Sequence, residues 1–148
     1  MRNHGYQNYF DNEVLAASPV QLIAMLYAGA LDSMAAARRH LRRADIPARV
    51  RAINKALRIV SELARSLNHD AGGELSRNLA GIYSYVQRLL IAANTRQSEA
   101  PLAEAEALMS TLAEAWKGCA PAGHEPDAVS HEFVMADSYS RDAVSLAP

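Results

Sequence analysis

Apolar residues recur every three or four positions through four successive stretches of the chain, and prolines stand near the start of three of them. The most regular stretch is Ile46, Val50, Ile53, Leu57, Val60, Ala64 and Leu67, in which steps of 4 and 3 alternate without a break. That spacing keeps all seven on one face of a helix and on no single face of a strand. The first stretch opens with Ser18-Pro19-Val20-Gln21. Ser18 is placed to cap a helix, Pro19 to fill its first position without losing a needed N–H, and Gln21 to complete a capping box. This helix extends to about Arg43, with Ile23, Tyr27, Ala30, Met34, Ala37 and Leu41 inward and Leu26 beside them. Arg38, Arg39, Arg42 and Arg43 sit at the negative end of its dipole. Asp45 can cap the second helix, with Pro47 in its first turn. Asn68-His69-Asp70-Ala71-Gly72-Gly73 then breaks the chain with turn residues. A third helix follows from about Glu74 to Arg96 on Leu75, Leu79, Ile82, Val86, Leu89 and Ala93. Pro101 opens a fourth, ending near Lys117, with Leu102, Ala105, Met109, Leu112 and Trp116 inward. No strand of convincing length and alternation appears. Four helices with short connections predict an all-α fold, an antiparallel up-down four-helix bundle over residues 18–117.

The 148 residues, half of them hydrophobic, suit one domain with a sizeable core. Fifteen Lys and Arg against sixteen Asp and Glu argue against a generally basic nucleic-acid binder. One cysteine excludes an internal disulfide framework and a Cys-based zinc finger. No apolar run reads as a membrane span, and the first ten residues lack the apolar core of a signal peptide, so a soluble, cytoplasmic protein is expected. The charge is unevenly spread: residues 1–117 hold 14 basic and 11 acidic side chains, a net of +3, whereas 118–148 hold one and five, a net of −4. With Pro121, Pro126 and Pro148, the segment 118–148 reads as a flexible acidic tail. At the other end, Tyr6, Tyr9, Phe10, Val14 and Leu15 gather aromatic and aliphatic side chains within residues 1–17. They read as an N-terminal arm that packs on the bundle, either as a fixed cap or as a displaceable cover.

The second helix carries more apolar residues than one stripe needs. Ala52, Ala56, Ile59 and Leu63 cluster roughly 80–120° from the first stripe at ~100° per residue. Tyr83 and Tyr85 flank the stripe of the third helix. A wide bundle that covers both faces accounts for this, and so does a groove for a partner segment. Catalytic and cofactor chemistry is not legible. There is no Gly-rich phosphate loop, no Glu-x-x-His repeat of a di-iron bundle and no carboxylate on a predicted inner face. Cys119, His124 and His131 lack metal-ligand spacing, and His40 and His69 fall at a helix end and in a turn. No enzyme, no metal and no cofactor is expected. Residues 38–65 hold nine basic side chains against two acids, with no aromatic among them. A solvated face, an acidic protein partner or the chain's own acidic tail fits that segment better than nucleic acid.

Tyr6-Gln7-Asn8-Tyr9, Ala17-Ser18-Pro19 with Leu22, and Met25-Leu26-Tyr27-Ala28-Gly29-Ala30 resemble the start of the flagellin-specific export chaperones (FliS). The resemblance continues through Ala52-Ile53-Asn54-Lys55-Ala56, Glu62-Leu63 and Ser66-Leu67. It is strongest in Asn78-Leu79-Ala80-Gly81-Ile82-Tyr83-Ser84-Tyr85 and Ala93-Asn94, and it closes at Trp116. Asn68 and Ser84 depart from it, each standing where the family commonly has Asp. The resemblance implies a small helical bundle without enzymatic activity. Such a protein holds the disordered C-terminal segment of flagellin in the cytoplasm, prevents premature polymerisation and delivers the client to the type III export apparatus, with possible contacts to export gate components. Together with the second apolar face it implies a client-binding groove on Ala52, Ala56, Ile59, Leu63, Leu67, Asn78, Ile82, Tyr83 and Tyr85. It also implies a displaceable arm at Tyr6, Tyr9, Phe10 and Val14, and a monomer that binds its client 1:1. The competing expectations are a structural module that dimerises through the second face, and a nucleic-acid-binding bundle that uses Arg38–Arg65.

Overall fold

The computed structural model describes residues 18–119, so the expected arm and acidic tail lie outside the described residues. Those described form four helices and no strand: α1 Pro19–Arg42, α2 Ile46–Arg65, α3 His69–Arg96 and α4 Glu99–Cys119. The capping box is present. The Ser18 hydroxyl accepts from the Gln21 N–H at 3.2 Å, and the Gln21 side chain accepts from the Ser18 N–H at 2.8 Å. Asp45 caps α2 by accepting from the Ala48 N–H at 3.2 Å, and Asn68 caps α3 by accepting from the Ala71 N–H at 3.1 Å. The expected break at 68–73 takes a compact form. His69–Gly72 winds as one helical turn, Gly73 then adopts φ 53° and ψ −123°, and α3 proper continues beyond it. That backbone conformation is open essentially to glycine alone. The Ser76 hydroxyl donates to the Asn68 carbonyl at 3.0 Å and ties the turn back to the helix.

Contacts between side chains fix the topology. Each helix packs on its neighbours in sequence, and α1 closes the ring against α4. Ile59 of α2 lies against Gly29 of α1, and Ser61 of α2 accepts from Gln87 of α3 at 2.9 Å. Tyr85 of α3 donates to Glu104 of α4. Arg38, near the end of α1, pairs with Glu99 at the start of α4, while the Trp116 indole N–H, near the end of α4, donates to the carbonyl of Val20 at 3.4 Å. Both α1/α4 pairs join opposite ends of the two helices, and Arg49 near the start of α2 donates to Asn94 near the end of α3, which is the antiparallel up-down arrangement.

The core is built from Ile23, Tyr27, Ala30, Met34 and Ala37 of α1, Ile53, Ala56, Val60 and Leu63 of α2, Tyr83, Val86, Leu90 and Ala93 of α3, and Leu102, Ala105, Met109 and Trp116 of α4, with Leu67 following α2. The α1 and α4 faces are those the spacing predicts. The α2 face is turned relative to the expected stripe: Ile46 is 49% exposed, Val50, Leu57 and Ala64 are half-buried, and Ala56 and Leu63 are fully buried. The α3 face is displaced by one position, centred on Ser76, Tyr83, Val86, Leu90 and Ala93, with Leu75 partly exposed. Helix α1 is long and apolar enough to cross a membrane, which the sequence reading missed; its apolarity comes largely from alanines and from the face it buries in the bundle.

Candidate functional site

The nine residues expected to line a client groove occupy three places. Ala56, Leu63, Leu67 and Tyr83 are buried inside the bundle. The Tyr83 hydroxyl lies 2.6 Å from that of Tyr27, and burial raises the pKa of both phenols, so the pair shares a hydrogen bond as two neutral groups. These four do not present a surface. The reason is the centre of the apolar arc: with Ile53, Ala56, Val60 and Leu63 all available, α2 points the midpoint between its two stripes inward and leaves both stripes as flanks.

Ala52 and Ile59 are half-buried on the flank of α2 next to α1. A Cβ added to Gly29 would stand 3.3 Å from Ile59 Cδ1, so the missing side chain on α1 makes room for this isoleucine. Asn78, Ile82 and Tyr85 lie on the flank of α3 next to α4, where Ile82 is half-buried and the other two are exposed. The Tyr85 phenol donates to Glu104, which raises its pKa, and Arg88 stacks over its ring with Cζ 5.7 Å from the centroid. In a ring ordered α1, α2, α3, α4 the α1/α2 and α3/α4 flanks face opposite sides. Between them, on the outer side of α2 and α3, stand Ile46, Val50, Leu57 and Ile91, the last 53% exposed. Incompletely covered apolar side chains therefore occur on three sides of α2 and α3, separated by the exposed Arg51, Asn54, Lys55 and Arg58 of α2 and by Arg77, Ser84 and Arg88 of α3. The arm residues Tyr6, Tyr9, Phe10 and Val14 lie outside the described residues.

Two polar constellations were not read from the sequence. Arg49 is only 5% exposed and has no carboxylate within ion-pairing reach among the described residues. It donates instead to Asn94 Oδ1 at 3.1 Å, to Gln97 Oε1 at 3.4 Å and to the Asn94 carbonyl at 3.5 Å. A cation there meets the negative end of the α3 dipole. The second is the α1/α4 junction: Arg38 pairs with Glu99 and Glu106, and Arg42 pairs with Glu99. The signal was present as complementary stripes, Arg at 38 and 42 facing Glu at 99 and 106. Among the described residues no three His, Cys, Asp or Glu side chains converge as a metal site.

Residues 1–123 match the sequence profile of the family described as flagellar protein FliS. The chain is 39% identical to the flagellar secretion chaperone FliS of Salmonella typhimurium over 112 residues, which cover 75% of this chain and 83% of that protein. It is 36% identical to the flagellar secretion chaperone FliSB of Pseudomonas aeruginosa over 108 residues, 73% of this chain and 86% of the relative. With the flagellar secretion chaperone FliS of Campylobacter jejuni it shares 35% identity over 115 residues, 78% of this chain and 90% of the other. The four-helix bundle and these relatives agree, and the chain belongs to the FliS family of flagellar proteins.

Proposed function

We propose that this protein is a cytoplasmic flagellar export chaperone that binds the disordered C-terminal segment of flagellin. In this reading it prevents premature polymerisation and hands the client to the type III export apparatus, with contacts to export gate components at that step. It works by binding and not by catalysis, as a monomer with one client. The observation that carries the reading is membership of a family whose curated relatives are flagellar secretion chaperones. The bundle supports it with incompletely covered apolar patches at Ala52 and Ile59, at Leu57 and Ile91, and at Ile82 and Tyr85, set among exposed polar side chains. A disordered client must offset its ordering entropy with buried area, so it needs an extended track and not a compact pocket. The segment gains helix as its apolar residues settle on the patches. Any displacement of the arm, Tyr6, Tyr9, Phe10 and Val14, accompanies that step.

The test is calorimetric titration of the full chain with a flagellin C-terminal peptide of roughly 40 residues, long enough to bury about 1,000–3,000 Å2. We expect a 1:1 complex, a negative heat-capacity change and a rise in far-ultraviolet helical signal beyond the sum of the parts. Absence of binding, or binding without added helix, overturns the proposal.

A further inference from the structure

Five cations on the α1/α2 side make no ion pair among the described residues: Arg39, Arg43, Arg51, Lys55 and Arg58. All five are exposed. The other basic residues of this region are engaged, Arg38 and Arg42 with Glu99, Arg65 with Glu62, and Arg49 in the interior. Arg51, Lys55 and Ile59 are spaced one helical turn apart, and Arg58 stands beside them, so cations rim the half-buried Ala52 and Ile59. On the same two helices Glu62 is already held by Arg65, and the other acid is Asp32, exposed on α1.

The chain itself supplies the complement. The family profile ends at residue 123. Residues 124–148 add Glu125, Asp127, Glu132, Asp137 and Asp142 against Arg141, a net of −4, and interleave them with Val129, Phe133, Met135 and Tyr139. We propose that residues 124–148 dock on the bundle that carries them, with their acids on Arg51, Lys55 and Arg58 and their apolar side chains over Ala52 and Ile59. This does not depend on the client reading.

Reach favours the assignment. The end of α4 lies beside the start of α1, and hence at the same end of the bundle as the end of α2. α2 ends at Arg65, so Arg58 lies about 10 Å along it at 1.5 Å per residue, and two helix spacings of 8–10 Å around the ring bring the separation to roughly 19–23 Å. A flexible segment of about 16 residues has a root-mean-square span of roughly 20–24 Å. The tether matches the gap, so the local concentration is of millimolar order and a contact that is weak between separate molecules is populated.

The test is paramagnetic relaxation in the full chain, with a nitroxide at Ser138→Cys on a Cys119→Ser background. We expect line broadening of the 50–60 amides at low salt. It should vanish at 1 M salt, where the Debye length falls to about 3 Å. It should also vanish in Arg51→Glu/Arg58→Glu and, with the bundle untouched, in Glu132→Gln/Asp137→Asn. Broadening that is uniform, lies elsewhere or survives both charge variants overturns the proposal. So does broadening seen in a mixture of separately spin-labelled and isotope-labelled chains at the same strength, which assigns the contact to a second copy.

Discussion

Tyr27 and Tyr83 are the most exacting residues in the bundle, because each hydroxyl is satisfied only by the other. Both are buried, both have pKa values raised by that burial, and neither has another hydrogen-bond partner among the described residues. Removing one hydroxyl strands its mate in the core, which costs about 1–3 kcal/mol; replacing both partners can be nearly neutral. Tyr83→Phe should therefore destabilise by about 1–3 kcal/mol in urea denaturation, and Tyr27→Phe/Tyr83→Phe should cost less than the sum of the two single changes. An additive double variant would mean that the two hydroxyls act independently. The pair also explains why the α3 face was misplaced by one residue. Leu75, Leu79, Ile82, Val86 and Leu89 form the cleaner hydrophobic pattern, yet the centre of the buried face passes through Ser76 and Tyr83. A polar atom disguises a core position in a sequence, and its partner one helix over is invisible until the helices are assembled.

Among the elements, α1 and α4 are joined by charge as well as by packing. Glu99 receives hydrogen bonds from Arg42 and Arg38, which hold its carboxyl below the usual glutamate range. A depressed pKa means that the stabilisation is present above the unfolded-state value, about 4.3 for glutamate, and fades as pH falls through the folded-state value. Glu99→Gln should thus lower the unfolding midpoint at pH 7, and the gap to the parent protein should close as the pH is taken well below 4. A gap that persists at low pH would assign the loss to packing and not to charge. The site is solvent-accessible, so the effect should shrink with added salt. The starts of α1 and α2 were the most legible feature because caps are local chemistry: Ser18 and Asp45 each bond within three residues, whereas α3, expected to begin near Glu74, begins at His69 behind an Asn68 cap. The orientation of α2 was less so. Two apolar stripes on one helix leave the centre of its buried arc undecided, and only the space left by Gly29 and the neighbouring helices sets it between them. Arg49 was hidden for the same reason, since its acceptors belong to the far end of α3.

At the scale of the whole molecule, the two outward flanks settle what kind of client path the proposed function requires. Ile59 lies on the α1/α2 side and Tyr85 on the α3/α4 side, with the ring of helices between them. A client that uses both must wrap the bundle. Substitutions on opposite flanks share no neighbours, so their effects on binding should add. Losing the covered part of either side chain is worth about 1 kcal/mol of apolar burial, close to a fivefold change in Kd. Ile59→Ala and Tyr85→Ala should each weaken binding of the flagellin C-terminal peptide about fivefold, and the double variant about 25-fold. Tyr85→Ala also removes the hydrogen bond to Glu104 and the stack with Arg88, so its thermal unfolding and circular dichroism must stay near those of the parent for its binding loss to count. Ile59→Asp places a charge on the half-buried flank and should abolish binding on that side; thermal unfolding and circular dichroism must remain near those of the parent for that loss to count. Splitting the peptide into halves sharpens the test. Each half should respond to one flank and ignore the other. If both substitutions affect the same half, the client occupies one side of the bundle only, and the apolar patch at Leu57 and Ile91 is not on its path.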